Sequence, residues 1–345
     1  MDAVQALKDA IDRNDLDAVK TLMTADPSLH RAPLGYGKSG PLTWAAECRV
    51  PWEPPSATRL AMAEWMIDNG SDVHQGGDGP LSRAALYGDR VAMMELLVRR
   101  GADVNTAWHG NFPILWSPCE TVDARSIECL LRLGADANCV ATGRGQTALD
   151  YLLSTYSRSE ELRECVELLQ KAGGTTRYTM PGVIEVATGQ ADKLAALLAK
   201  DAGLAQRRFP ELAIGSSGAR RMDLRGATLL HVAAEFGSAA CAETLAAHGA
   251  DVNARADVDA AGIGGQTPIF HSVTQYEDFG LAVTRWLIDH GADLAVRAKV
   301  AGHYERADEF VECTPLGFAL RFPGDEFPNA NSKTIALLRE RGASE

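Results

Sequence analysis

Residues 226–253 open with Gly226-Ala227-Thr228-Leu229-Leu230-His231-Val232-Ala233-Ala234 and close with Gly249-Ala250-Asp251-Val252-Asn253. Both phrases recur along the chain. The closing phrase is also Gly101-Ala102-Asp103-Val104-Asn105 and, 33 residues later, Gly134-Ala135-Asp136-Ala137-Asn138. It returns as Gly291-Ala292-Asp293-Leu294, more loosely as Gly70-Ser71-Asp72-Val73-His74, and Gly342-Ala343-Ser344 begins another. The opening phrase reappears as Gly265-Gln266-Thr267-Pro268-Ile269, Gly145-Gln146-Thr147-Ala148-Leu149, Thr314-Pro315-Leu316, Gly40-Pro41-Leu42 and Gly79-Pro80-Leu81. Self-similarity at such a period marks a chain built of stacked units.

The chemistry of the two phrases predicts helices. Thr267 and Thr314 can cap a helix N-terminus with the hydroxyl, and the Pro that follows has φ already set. The next Leu or Ile points into the core. Ala-Ala, as at Ala45-Ala46, Ala84-Ala85 and Ala233-Ala234, keeps the first helix thin enough for neighbours to approach. The Gly of the closing phrase follows an apolar run such as Leu96-Leu97-Val98 or Trp286-Leu287-Ile288 and suits a left-handed C′ position. The Asp and Asn after it satisfy turn amides. One such unit cannot bury its own apolar face, so the units must stack.

These phrases resemble the ankyrin repeat: a turn, a first helix carrying T-P-L-H-x-A-A, and a second helix closed by G-A-D-V-N. The resemblance covers nearly the whole chain and implies an all-α solenoid of about nine helix-turn-helix units with finger turns, several degenerate or carrying long loops. The units fall at 2–31, about 40–74, 75–105, 106–138, 139–174, near 180–208, 226–253, 265–295 and 313–343. The sixth resembles the first: Ala18 to Leu29 aligns with Lys193 to Leu204 at an offset of 175. Two successive arrays are therefore expected, 1–174 and 175–345, each opened by a cap-like unit. Four connections exceed the family minimum, at 49–58, 209–225, 254–264 and 297–312. Long loops of this kind carry function or are surface drift.

Composition narrows the function classes. The chain has 345 residues, 46% hydrophobic and 6% aromatic, and a formal charge of −12. That charge argues against a general nucleic-acid or anionic-membrane binder. No stretch approaches the roughly 20 apolar residues of a membrane span. Seven scattered cysteines without a C-x-x-C pair read as reduced, buried thiols of a cytoplasmic protein. No zinc, EF-hand or nucleophile-elbow motif appears, so no metal and no cofactor is expected.

The resemblance also implies where a ligand would sit: a concave face of finger turns and first helices, read at the residues before T-P-L-H and after A-A. Carried over, these include Glu47, Tyr87, Trp108, His109, Asn111, Glu120, Arg144, Arg225, Glu235, Phe236, Gln275 and Arg321. The seam positions depart from the family pattern. The consensus His survives only as His231, which is read as bonding turn backbone, and costly residues stand at Arg83, Asp150, Tyr151 and His271. Two functions follow. The first is a non-enzymatic scaffold whose concave face holds a protein partner. The second is an enzyme or small-molecule binder with a central pocket lined by Arg83, Trp108, His109, Trp116, Glu120, Asp150, Tyr151 or His271.

Overall fold

The computed structural model describes residues 2–108, 110–141, 145–155, 157–212, 214, 224–301, 309–321 and 330–345. By internal contacts these form two compact units, one of Met1–Leu152 with Glu164–Thr176 and one of Leu153–Arg163 with Arg177–Glu345. The fold is mostly helical.

In the first unit the helices come in consecutive pairs: α1 (Ala3–Asp12) with α2 (Leu16–Ala25), α3 (Pro41–Glu47) with α4 (Ala57–Asp68), α5 (Gln75–Ala84) with α6 (Val91–Arg99), and α7 (Trp116–Thr121) with α8 (Ala124–Arg132). First helices pack on first helices, α1 on α3 on α5, and second helices on second, α2 on α4 on α6 on α8. Before α7 a hairpin of β1 (Ala107–Trp108) and β2 (Phe112–Pro113) stands out, with Trp108 opposite Phe112. Helices α9 (Ala148–Ser154) and α10 (Leu162–Lys171) follow.

The second unit repeats the arrangement. Its pairs are α11 (Val183–Ala187) with α12 (Ala191–Lys200), α13 (Leu229–Glu235) with α14 (Ala239–Ala247), α15 (Pro268–Ser272) with α16 (Leu281–Asp289), and α17 (Pro315–Arg321) with α18 (Ser332–Glu340). Helix α13 packs on α11 and α15, α15 on α17, and α14 on α12 and α16. The long connection 297–312 becomes an antiparallel hairpin of β3 (Ala298–Ala301) and β4 (Phe310–Cys313).

Local chemistry explains these boundaries. Asp15 accepts the Ala18 N–H at 3.0 Å and Asp123 that of Ser126 at 2.8 Å, each closing a helix N-terminus. Ala45, Ala46, Ala84, Ala85, Ala233 and Ala234 are all fully buried, so the thin faces are filled by neighbouring repeats. Gly249 and Gly291 end their helices at φ +86° and +88°, a region a Cβ would strain. The likeness of the two cap-like units is also structural. Asp26 and Asp201 each end the second helix and accept an N–H two residues on, from Ser28 and Gly203.

Two expectations need correction. Helix α5 starts at Gln75 and carries Pro80 inside it, whereas the Gly79-Pro80-Leu81 phrase places the start at the Pro. The bond that Pro80 cannot donate would have gone to Gly76, which stands at φ +73°, outside helical geometry. Thr267 does not cap its helix: the Phe270 N–H goes to the Thr267 carbonyl at 3.1 Å, and the buried hydroxyl is left without a partner. Thr314 does cap, accepting the Gly317 N–H at 3.1 Å.

The closing phrase also does more than satisfy its own turn. Asp103, Asp136 and Asp251 accept the N–H two residues on, as expected. The Asn that follows reaches into the next repeat. Asn105 donates to the Gly134 carbonyl at 3.0 Å and accepts the Asp136 N–H at 2.8 Å. Asn253 does the same with Gly291 and Asp293, at 3.0 and 2.8 Å, and Asn138 with Gly173 and Thr175, both at 2.9 Å. His74 and Gln206 stand in for Asn, bonding the carbonyls of Gly101 and Gly249.

Candidate functional site

In the first unit the first helices place three charged side chains in a row. Glu47 ends α3, Arg83 lies in α5 and Glu120 in α7. The Arg83 guanidinium donates to Glu47 Oε1, and Arg49 adds bonds from Nε at 3.1 Å and from its terminal nitrogen at 2.9 Å. Glu47 is only 2% exposed. Burial holds the Glu120 carboxyl above the usual carboxylate range, with the Arg83 charge pulling the other way.

Beside this row the 49–58 insertion is pinned by Arg59, whose guanidinium donates to the carbonyls of Ile11 at 2.7 Å and Val50 at 3.0 Å. It presents Trp52, 50% exposed, edge-on to Tyr87 at 4.8 Å. The fully buried Arg90 guanidinium lies 4.7 Å from the Trp52 ring and 4.9 Å from the Tyr87 ring. The sequence marks Tyr87 and the enlarged loop but not Trp52 itself. A tryptophan in a proline-flanked surface loop is the signal that could have found it.

Several of the residues expected around a central pocket are packed or bonded within their own unit. Trp116 is fully buried and stacks on Tyr151, rings 4.2 Å apart and 12° from parallel, with Phe112 edge-on to both. These rings are core packing, not a lining. Asp150 stands where His231 stands in its own repeat and has the same role. Its Oδ2 accepts the Thr147 N–H at 3.2 Å, its own N–H bonds the Thr147 hydroxyl, and Oδ1 accepts the Thr176 hydroxyl at 2.7 Å. His231 Nδ1 accepts the Thr228 N–H at 3.2 Å, and Nε2 donates to the Gln266 carbonyl at 3.2 Å. Burial, then the neighbouring His271, lowers the His231 pKa to about 3, so the imidazole is neutral.

In the second unit Glu235, at the end of α13, is 2% exposed. Its Oε2 accepts from His271 Nδ1 at 2.9 Å and its Oε1 from Arg158 at 2.7 Å. Gln275 donates to the carbonyls of Glu235 and His271, both at 2.8 Å, and the Arg158 guanidinium covers the Phe236 ring at 4.5 Å. Arg158 was not among the sequence candidates. It lies in the 155–161 connection, where no motif position points to it, and only its partner 77 residues away gives it a role.

The twelve expected contacts thus divide. Glu47, Glu235, Phe236 and Gln275 are buried. A buried carboxylate requires cationic partners, and neighbouring repeats supply them. Tyr87, Asn111 and Arg225 are exposed, while Trp108, Glu120 and Arg321 are half-buried, with Arg321 paired to Glu309 at 2.6 Å. His109 and Arg144 lie outside the described residues. Arg83, in the first unit, pairs with Glu47, and His271, in the second, with Glu235.

Among the described residues, no helix is long and apolar enough to cross a membrane. No curated protein matches the chain. A family model described as ankyrin repeats (3 copies) matches residues 186–298, the stretch from the end of α11 to the start of β3. On that match, and on helix pairs joined through their Gly-Ala-Asp turns, residues 186–298 are ankyrin repeats.

Proposed function

We propose that the chain is a non-enzymatic binding scaffold of nine stacked repeats in two arrays, 1–174 and 175–345, that holds another protein on its finger turns and first-helix ends. Ankyrin repeats are generally protein–protein interaction modules and typically non-enzymatic. The contacting residues are Tyr87, Trp108, Asn111, Glu120, Arg225 and Arg321, joined by Trp52. One observation carries the reading. The acid–base candidates Arg83, Asp150 and His271 are engaged in bonds that join repeats, while the aromatic rings of Trp52 and Tyr87 stay open to solvent. Exposed aromatics and arginines are the side chains that most often anchor interfaces. The seven free thiols fit a reducing, cytoplasmic setting.

Cross-linking of the full chain in lysate, followed by mass spectrometry, tests the scaffold. A specific partner should be recovered, and Trp52→Ala/Tyr87→Ala should reduce its capture by about tenfold, the scale of one hot-spot pair, with an unchanged circular dichroism spectrum. Recovery of no partner, with a metabolite raising the melting temperature instead, would sink it.

A further inference from the structure

Trp52, in the 49–58 insertion, and Tyr87, in the turn between α5 and α6, stand open at the surface of the first unit, 50% and 36% exposed. Their rings pack edge-on, with centroids 4.8 Å apart and planes 74° apart. Such a pair makes a corner on each side of its contact. The inner corner is filled by Arg90, whose fully buried guanidinium lies 4.7 Å from the Trp52 ring and 4.9 Å from the Tyr87 ring. The Asp89 carboxylate and the Cys48 carbonyl hold it there, at 3.0 and 3.3 Å. The exposed ring surface therefore belongs to the outer corner.

The polar edges of both rings are unused. Among the described residues, neither the Trp52 indole N–H nor the Tyr87 hydroxyl has a hydrogen-bond partner. The pair is also held in place by its surroundings, since Arg59 pins the loop through the Val50 carbonyl at 3.0 Å and Arg90 supports both rings. A site ordered beforehand loses less entropy on binding. Charge near the corner is mixed. Arg49, held by Glu47, lies 5.8 Å from the Trp52 ring, while Glu53 is exposed and Asp89 partly so. Two guanidinium groups already draw on the indole, so a further cation gains little from it. These surroundings suit a neutral ligand.

We propose that the outer corner of Trp52 and Tyr87 takes a proline-rich segment of a partner protein in the polyproline II conformation. The assignment rests on the scaffold reading and names the chemistry of its partner. Shape favours it first. Polyproline II has three residues per turn, so it is a three-sided prism whose ridges have an angle of about 60°. Such a ridge seats between planes 74° apart. An α-helix is a cylinder about 10–12 Å across and would rest on one ring or the other. Hydrogen bonding favours it next. Polyproline II makes no internal hydrogen bonds, so its carbonyls are free to accept from the Trp52 indole and the Tyr87 hydroxyl. Proline rings are also uncharged and apolar, as the mixed surroundings require.

The test uses the immobilised full chain and three pools of dodecapeptides. The first has proline at two of every three positions and varied uncharged residues at the third. The second replaces proline by Ala, Leu and Gln, which favour a helix, and the third keeps proline but places Lys at the varied position. The first pool should be retained about tenfold over the second and severalfold over the third. Its retention should fall about tenfold in Trp52→Ala and in Tyr87→Ala, the scale of a hot-spot residue. In Tyr87→Phe, which keeps the ring and loses only the hydroxyl, it should fall about fivefold, the scale of one hydrogen bond. Circular dichroism confirms the fold of each variant. Equal retention of the first two pools, preference for the Lys pool, or indifference to any of these substitutions would overturn the assignment. A partner cross-linked at Trp52 and Tyr87 through a segment without proline would overturn it as well, while leaving the scaffold reading intact. Failure of that reading shows differently, as no partner recovered at all.

Discussion

Asn253 sits on the surface, yet it binds two repeats together: its amide donates to the Gly291 carbonyl and its oxygen accepts the Asp293 N–H. Each such bond is worth about 1 kcal/mol net. Asn253→Ala should therefore lower the unfolding free energy by about 1–2 kcal/mol, measured by urea denaturation, and Asn105→Ala by a similar amount. No change in either would remove these bonds from the account of stability. His231 is a buried counterpart. Its folded pKa of about 3 lies below the unfolded value of 6.5, so its contribution is full above pH 6.5 and is lost as pH falls towards 3. The fall in melting temperature between pH 7 and pH 4 should be smaller in His231→Asn than in wild type, and an identical fall would contradict the assignment. Thiols offer a further check. Burial pushes Cys139 up to about 12 and Cys313 to about 11, so neither should react with a maleimide at pH 7 until the chain unfolds.

At the scale of elements, segment 153–163 shows how a connection acquires a fixed place. Sequence order puts it in the first array, but Arg158 bonds the Glu235 carboxylate and stacks on Phe236, which places the segment in the second unit. Removing one partner of a buried ion pair strands the other, at a cost of about 3–5 kcal/mol. Arg158→Met should show that loss, together with faster amide exchange across 153–163 and at the C-terminal end of α13. Exchange that stays slow there would mean the segment is held by something other than this ion pair. The 49–58 insertion follows the same logic, since Arg59 and Arg90 hold a loop whose length alone reads equally as drift.

At the scale of the molecule, Arg83 and His271 are each held by a carboxylate of a neighbouring repeat within their own unit, so a thermal-shift screen of common metabolites should raise no melting temperature. A shift abolished by Glu120→Ala would restore the pocket reading. The family match lies in 186–298, where Thr228-Leu229-Leu230-His231 and Thr267-Pro268 keep the motif. In the first unit the same helix pairs carry Thr43, Ser82, Leu115 and Asp150 at the His position, so the pattern is fainter although the packing persists. The sequence by itself determined most of the helices and the turns that close them, the start of α5 and the cap at Thr267 excepted, because caps, left-handed glycines and apolar spacing act within a few residues of their own position. It also picked out Tyr87 and Arg225, both of which are exposed, and the connection 297–312 as an extended finger turn. Only the tertiary structure decided which polar side chains are buried. Glu47, Asp150, Glu235 and His271 look as exposed in sequence as Arg225 does. Whether a charge is neutralised depends on groups brought close from tens of residues away, and that proximity is a property of the packed repeats.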